Sequence, residues 1–168
     1  KLEYVIADAL SAGADTLVTC GGFQSNHCRA TAALGARLGL RVRLLLRCSE
    51  PVPTNDGNLL LDRLFGAEVS LHCPEEYNLR RQALIDDCLA AERTAGHRPY
   101  YFPVGASIPL GTWGYIRCVN ELVRQAGSDT QLDIFCTVGS GGTMAGLVLG
   151  KTLFHCDNWR IIGVPVCD

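Results

Sequence analysis

Residues 137–143 (TVGSGGT) lie between an apolar strand and a predicted helix, and they have the composition of an anion-binding turn. Glycines let consecutive backbone N–H groups turn toward one point, and Ser140 and Thr143 add hydroxyl donors. The following helix presents the positive end of its dipole, so the segment could bind a phosphate. It matches neither GxGxxG nor the Walker A pattern. A tight strand-to-helix turn without a ligand is the alternative interpretation of the same residues.

A second polar turn, residues 21–27 (GGFQSNH), also follows a predicted strand and opens a predicted helix. Open α/β sheets bind ligands at the carboxyl ends of their strands, so the two turns suggest one shared site. Ser25 or Asn26 could serve only as the N-cap of the helix. Residues 24–27 are four consecutive hydrogen-bonding side chains, however, and a cap needs fewer.

The elements that must position these turns follow from the hydrophobic periodicity. Predicted strands cover residues 16–20, 41–47, 67–72, 100–104, 132–138 and 160–166, and predicted helices cover residues 2–11, 26–38, a segment ending at 65, 79–95, 112–126 and 143–153. Residues 49–56 are predicted as a loop. Repeated βα units predict an α/β fold of open, mostly parallel sheets with helices on both faces.

Composition excludes several function classes. The 168 residues are 48% hydrophobic and 19% charged, so the chain should bury a core. Lys and Arg number 15 against 17 Asp and Glu, and the resulting net charge of −2 argues against nucleic acid and anionic membranes as partners. The uncharged segment 134–150 is too short and too rich in glycine for a membrane span. Its glycines at 142, 146 and 150 predict a helix face lying close against the sheet.

The nine cysteines include no CxxC pair, which fits neither a zinc ribbon nor a thioredoxin site. We therefore expect no metal. Free cysteines at this density favour a reducing compartment.

Several segments together resemble the D-cysteine desulfhydrase and 1-aminocyclopropane-1-carboxylate deaminase family. They are KLEY at residues 1–4, GGFQSNHCRAT at 21–31, GNLLL at 57–61, PVGAS at 103–107, LGTWGY at 110–115 and GSGGTMAG at 139–146. This family consists of pyridoxal-phosphate enzymes of fold type II, the tryptophan synthase β-like fold. The motifs SNHCRAT and LGTWGYI are most similar to those of the plant-type D-cysteine desulfhydrases, whereas the deaminases tend to have Gln at the position of His27.

The resemblance implies two lobes. Residues 1–107 would form a small α/β lobe that carries the turn at 24–27. Residues 108–168 would form part of the large cofactor-binding lobe, which carries the glycine-rich phosphate loop. The connection at 105–109 is the predicted boundary.

The resemblance also implies site residues for pyridoxal 5'-phosphate. The cofactor phosphate would be held by Gly139, Ser140, Gly141, Gly142 and Thr143. Lys1 would add a positive charge beside that phosphate, and Asn26 would hydrogen-bond the ring hydroxyl. The substrate carboxylate would be received by backbone N–H groups of Gln24, Ser25, Asn26 and His27. Ser25 matches a serine that the family treats as catalytic.

Ordinary structural roles stand beside these assignments. Lys1 could be an exposed lysine at a helix end, and His27 could make only a structural hydrogen bond. Cys28 is expected to pack in the core, or to have a lowered pKa if it faces the helix N-terminus. Trp113 and Tyr115 are expected in the core, with pocket contact as the alternative.

In the family the Schiff-base lysine precedes the position of Lys1 by three residues, and the group facing the pyridine nitrogen follows Asp168. We therefore expect the chain to be an internal fragment. The predicted activity is a lyase that converts D-cysteine to pyruvate, ammonia and hydrogen sulfide, with 1-aminocyclopropane-1-carboxylate deaminase as the alternative. A non-catalytic binding module that lacks the lysine is the alternative of another class. A homodimer is expected in the cytoplasm, or in mitochondria or plastids if a transit peptide was lost.

Overall fold

The computed structural model describes residues 1–49 and 56–166, so the predicted loop at 49–56 lies outside the described residues except for its two ends. Helices and strands alternate. The helices are α1 (Leu2–Ser11), α2 (Asn26–Leu38), α3 (Gly57–Leu64), α4 (Pro74–Thr94), α5 (Pro109–Ala126) and α6 (Gly142–Leu153). The strands are β1 (Thr16–Gly22), β2 (Arg41–Arg47), β3 (Glu68–His72), β4 (Pro99–Tyr101), β5 (Leu132–Val138) and β6 (Trp159–Pro165).

The chain divides into two compact units. One unit is Ala7–Gly105, and the other combines Lys1–Ile6 with Ala106–Asp168. The division after Gly105 falls within the connection at 105–109. The assignment of 1–107 and 108–168 to a small and a large lobe stays a prediction.

The unit Ala7–Gly105 is built on a parallel sheet in the order β3-β2-β1-β4. Six of the seven residues of β1 are buried, as expected for a central parallel strand that is covered on both faces. Val18 and Cys20 of β1 pack with Tyr77 and Ile85 of α4, in a cluster that also contains Leu45. This core holds the carboxyl end of β1, where the turn at 24–27 begins.

The other unit pairs β5 and β6 in parallel and packs α5 against α6. The prediction that the glycine face of α6 lies against the sheet is wrong. A Cβ atom built at Gly146 would come within 2.5 Å of Tyr115 Cβ, and one at Gly150 within 2.7 Å of Val119 Cγ2. Both neighbours belong to α5, so the small residues allow two helices to approach closely.

Three element boundaries differ from the predicted ones by three residues or more. Helix α4 begins at Pro74 rather than 79, and α5 begins at Pro109 rather than 112. Proline fits the first turn of a helix because its fixed φ is helical and its missing N–H would have no intrahelical partner there. Strand β4 ends at Tyr101, because only three of its residues pair with β1.

The predicted α/β class with parallel sheets is confirmed. Within residues 1–49 and 56–166, no helix has both the length and the apolarity that a membrane crossing requires.

Candidate functional site

The start of α6 is an open helix end. Gly141 is its N-cap and adopts the left-handed conformation (φ +81°, ψ −20°), which costs glycine little. In the described part of the chain no side chain caps this end. The first N–H groups of a helix have no intrahelical acceptor, and they carry the positive end of the helix dipole. This end of α6 therefore offers backbone donors to an external anion.

Lys1 and Ser107 adjoin the same helix end. A Cβ atom built at Gly142 would lie 2.7 Å from Ser107 Oγ and 3.3 Å from Lys1 Nζ. Ser107 Oγ in turn donates to Ser140 Oγ at 2.6 Å. The structure thus places the ammonium and two hydroxyl groups around the buried Gly142, where a larger residue would occupy the space.

Contacts with helix α5 hold Lys1 in this place. Its backbone packs on α5, since a Cβ atom at Gly114 would come within 2.4 Å of Lys1 N. Its Nζ atom lies 5.8 Å from the centroid of the Tyr115 ring, a cation–π distance. Burial lowers the pKa of the Lys1 side chain from its usual value. A nearby dianion would favour the ammonium form again.

A pocket of about 690 Å³ opens beside the start of α6. Its polar end consists of Ser107, Thr112, Ser140, Gly141 and Gly142, and its apolar wall of Ile108, Pro109, Trp113, Ile116, Ala145 and Leu149. None of these lining residues is acidic. Backbone N–H groups, hydroxyls and an ammonium form a donor set that fits the phosphate of pyridoxal 5'-phosphate.

Trp113 and Tyr115 have different environments. Trp113 is 52% exposed and lines the pocket, so its expected core position is wrong and the pocket alternative holds. Tyr115 packs against the core of Val119, Leu147 and Trp159, as expected.

Hydrogen bonds among residues 22–28 stabilise the turn at 24–27. Ser25 is the N-cap of α2, and its Oγ accepts a hydrogen bond from Cys28 N at 3.3 Å. Ser25 N donates to Gly22 O at 2.9 Å. A Cβ atom at Gly21 would come within 3.0 Å of Ser25 Oγ, so the strand end leaves space for the serine.

Asn58 of α3 stabilises this turn through hydrogen bonds. Its backbone N donates to Gln24 Oε1 at 2.7 Å, and its Nδ2 donates to Gln24 O at 2.7 Å and to Asn26 Oδ1 at 3.1 Å. Its Oδ1 accepts from Arg29 Nη1 at 3.1 Å. Because Asn26 Oδ1 is used as an acceptor, the side-chain NH₂ of Asn26 remains a donor for another group.

His27 makes a hydrogen bond inside the protein, as predicted for a structural role. Its Nε2 atom lies 2.9 Å from Thr19 Oγ1, and its ring packs edge to face on Phe102 with the centroids 5.7 Å apart. These contacts define the orientation of the ring.

Cys28 is a core residue. It is fully buried, and desolvation raises its pKa to about 12 although Ser25 opposes the shift by hydrogen bonding. The alternative of a lowered pKa at the helix N-terminus is therefore wrong, and the expected packing role holds. The cysteines that the structure describes are all free.

Three residues that contact the predicted site residues received no role from the sequence. Asn58 and Ser107 lie in the GNLLL and PVGAS segments that carry the family resemblance, and this was the available signal. Thr19 lies in a mostly apolar strand, where a threonine gives no signal of a site. The predicted roles of the site residues themselves stay predictions.

Comparison with known proteins defines the class. The sequence model described as "Pyridoxal-phosphate dependent enzyme" matches residues 1–168, and the chain belongs to this family. Among curated proteins, it is 44% identical to "Bifunctional D-cysteine desulfhydrase/1-aminocyclopropane-1-carboxylate deaminase, mitochondrial" from Arabidopsis thaliana, over 100% of this chain and 44% of that protein.

Two further relatives match 99% of this chain. "D-cysteine desulfhydrase" of Yersinia enterocolitica is 43% identical over 51% of its own length. "Putative 1-aminocyclopropane-1-carboxylate deaminase" of Thermotoga maritima is 46% identical over 52% of its own length. The chain spans about half the length of the curated relatives it matches.

Solved structures confirm the predicted fold. A protein described as "ACC deaminase homologue" superposes with a TM-score of 0.85 and 34% identity, over 98% of this chain and 49% of that one. Cysteine synthase from Entamoeba histolytica, at 16% identity, shares the fold with a TM-score of 0.64 over 89% of this chain and 42% of its own. The chain therefore has the architecture of fold type II pyridoxal-phosphate enzymes.

Proposed function

We propose that these residues belong to a pyridoxal-phosphate-dependent carbon–sulfur lyase that converts D-cysteine and water to pyruvate, ammonia and hydrogen sulfide. The observation that carries the proposal is the open start of α6, where Lys1 and Ser107 complete a donor set for a phosphate. The family supplies the cofactor, and two relatives at 43–44% identity are named for D-cysteine desulfhydration.

In the proposed site the phosphate loop anchors the cofactor. The phosphate is held by Gly139, Ser140, Gly141, Gly142 and Thr143. Lys1 offsets part of the phosphate charge, and Asn26 donates its side-chain NH₂ to the ring hydroxyl. When bound, the cofactor supplies an electron sink for the negative charge that develops at the α-carbon of the substrate.

The turn at 24–27 is proposed to bind the substrate. Backbone N–H groups of Gln24, Asn26 and His27 would receive the carboxylate, whereas the N–H of Ser25, which was also predicted to do so, donates to Gly22 O. Ser25 Oγ already accepts from Cys28 N, so the proton of its hydroxyl can be donated to a second group. This arrangement supports Ser25 as the catalytic residue that donates a hydrogen bond or a proton at the substrate.

The second candidate is 1-aminocyclopropane-1-carboxylate deaminase, which releases ammonia and 2-oxobutyrate. It is supported by the name of the Thermotoga maritima relative and by the 34% identical solved structure. His27 favours the desulfhydrase, because by family resemblance the deaminases tend to have Gln at this position.

The test is an assay of the full-length protein, loaded with pyridoxal 5'-phosphate, on three substrates. We expect sulfide and pyruvate from D-cysteine, and much slower release from L-cysteine. Formation of 2-oxobutyrate from the cyclopropane amino acid, without sulfide from D-cysteine, would establish the second candidate. No product from any of the three would favour the non-catalytic binding module.

Assembly and location are proposals of the same kind. We propose a homodimer, which sedimentation of the full-length protein would test. We propose a cytoplasmic location, with mitochondria or plastids as the alternative, since the name of the Arabidopsis thaliana relative includes "mitochondrial".

A further inference from the structure

The hydroxyl of Thr19 contacts two groups in the core of the unit Ala7–Gly105. Thr19 is fully buried in β1. Its Oγ1 atom donates to the backbone oxygen of Phe102 at 2.8 Å and lies 2.9 Å from Nε2 of His27. The three residues come from β1, from the segment that follows β4, and from the first turn of α2.

Counting protons assigns the direction of both hydrogen bonds. A hydroxyl has one proton, and a backbone carbonyl oxygen can only accept. The Thr19 proton is therefore used on Phe102 O, and Thr19 Oγ1 must act as the acceptor toward His27. An imidazole ring can meet this demand only by carrying a proton on Nε2.

We propose that Thr19 is a positioning residue that holds neutral His27 as its Nε2–H tautomer, so that Nδ1 is the ring nitrogen with the lone pair. Nothing in this step depends on the identity of the substrate. The tautomer is set by a hydrogen bond that the fold itself orients.

The surrounding packing makes this assignment rigid. Phe102 is fully buried and contributes both the acceptor oxygen and the ring on which His27 packs. Its backbone N donates to Val18 O at 3.1 Å, which ties it to the residue before Thr19. A reversal of the Thr19 hydroxyl would leave the Phe102 oxygen at 2.8 Å from an oxygen without a proton between them.

The consequence for the site rests on the proposed function. With Nδ1 as an acceptor, the neutral ring of His27 cannot donate to a substrate carboxylate from that nitrogen. Binding of the carboxylate then falls to the backbone N–H groups of the turn at 24–27. Thr19 would thereby influence turnover without touching the substrate.

The test is ¹⁵N NMR of the imidazole nitrogens in the full-length protein, with the His27 signals assigned from the His27→Gln variant. We expect a protonated Nε2 and an unprotonated Nδ1 in the wild type. Thr19→Val should shift or average these signals, because it removes the acceptor and keeps the shape. Thr19→Ser should restore them. Thr16→Val is the matched control, since Thr16 is a buried threonine of the same strand whose hydroxyl bonds Asp15 instead.

A wild-type ring protonated at Nδ1 alone would overturn the proposal, even if Thr19→Val failed to fold. Unchanged His27 signals in a folded Thr19→Val protein would also overturn it. In the D-cysteine assay we expect Thr19→Val to lower kcat by about tenfold, with Thr19→Ser close to wild type. If the full-length protein lacks lyase activity, the NMR result still decides the tautomer, so the two failures remain distinguishable.

Discussion

The two helix starts that follow glycine-containing strand ends, α2 and α6, differ in how their first N–H groups are used. At α2, Ser25 caps Cys28 N and Asn58 braces the preceding residues. At α6, the N-cap is Gly141 and no side chain of the described residues takes the cap position. A similar strand–glycine–helix pattern thus gives one helix start that a side chain caps and one that no side chain of the described residues caps.

A missing cap together with nearby donors therefore distinguishes the α6 start as the candidate anion site. An uncapped helix end alone is satisfied by water. At α6 the ammonium of Lys1 and the hydroxyl of Ser107 lie beside the open end. At the α2 start the amide groups bond each other, and the Arg29 guanidinium donates to Asn58 Oδ1. Substitutions at one helix start at a time test this difference.

The largest effect is expected from closing the open end. Gly142→Val places side-chain carbon atoms where Ser107 Oγ and Lys1 Nζ approach, so it should reduce the affinity for pyridoxal 5'-phosphate by at least about 100-fold. Equilibrium dialysis of the full-length protein measures this. Gly22→Ala is the control, because a Cβ atom at Gly22 meets nothing within 4 Å. Equal loss in both variants would show that the effect is not local to α6.

A smaller effect is expected from removing the charge beside the open end. Lys1→Met should weaken cofactor binding by about tenfold, the value of one charge-assisted hydrogen bond. Lys151→Met, the same substitution at the other lysine of this chain, should have no such effect.

The same lysine predicts a pH dependence. In the proposed site the ammonium form of Lys1 binds the phosphate, and burial lowers the pKa of Lys1 below its usual 10.5. Affinity should therefore fall as the pH rises on the alkaline side, at lower pH than an exposed lysine would cause. The profile should be flat in Lys1→Arg, whose guanidinium stays charged. A fall of the same size in Lys1→Arg would assign the titration to another group.

At the start of α2, the hydrogen bonds of Asn58 should contribute to the local stability of the turn at 24–27. Asn58→Ala removes three side-chain hydrogen bonds to Gln24, Asn26 and Arg29, and should lower the free energy of opening of the turn by about 1–2 kcal/mol, since two of the three bonds are solvent-exposed. Hydrogen exchange of the Ser25 amide reports this opening. Asn158→Ala, which removes one bond to Asp129 O, is the matched control and should leave the Ser25 amide unchanged.

The smallest effect is expected from removing the cap of α2. Ser25→Ala should accelerate exchange at the Cys28 amide by an amount equivalent to about 1 kcal/mol. Ser25→Ala should also abolish D-cysteine turnover through the proposed catalytic role of Ser25. Ser25→Asp should restore protection of the amide, because aspartate is an equally good N-cap, but it should not restore turnover. Recovery of turnover in Ser25→Asp would mean that capping is the only role of Ser25.

The sequence predicted elements best where local signals agree with packing. Helix α2 and strand β5 begin and end at the predicted residues, because glycines and polar turns bound a clear periodicity. Helix α4 was predicted five residues short, since its first turn is polar and opens with a proline. The acidic residues in that turn favour a helix start through the dipole, but they hide the apolar period.

The site was predictable only as far as its motifs extend. The glycine-rich loop has a signal in residue type and spacing. The approach of Lys1 and Ser107 to that loop is a long-range contact, for which the sequence offered only family resemblance. The glycine face of α6 was assigned to the wrong neighbour, because small residues indicate a close approach and do not specify whether a helix or a sheet approaches.

A crystal structure of the full-length protein with pyridoxal 5'-phosphate would show whether the open start of α6, and not the capped start of α2, binds the phosphate. We predict phosphate oxygens about 2.7–3.2 Å from the backbone N atoms of Gly142 and Thr143, with Lys1 Nζ among the contacts. A phosphate bonded to the first N–H groups of α2, or bound away from both helix starts, would contradict the account.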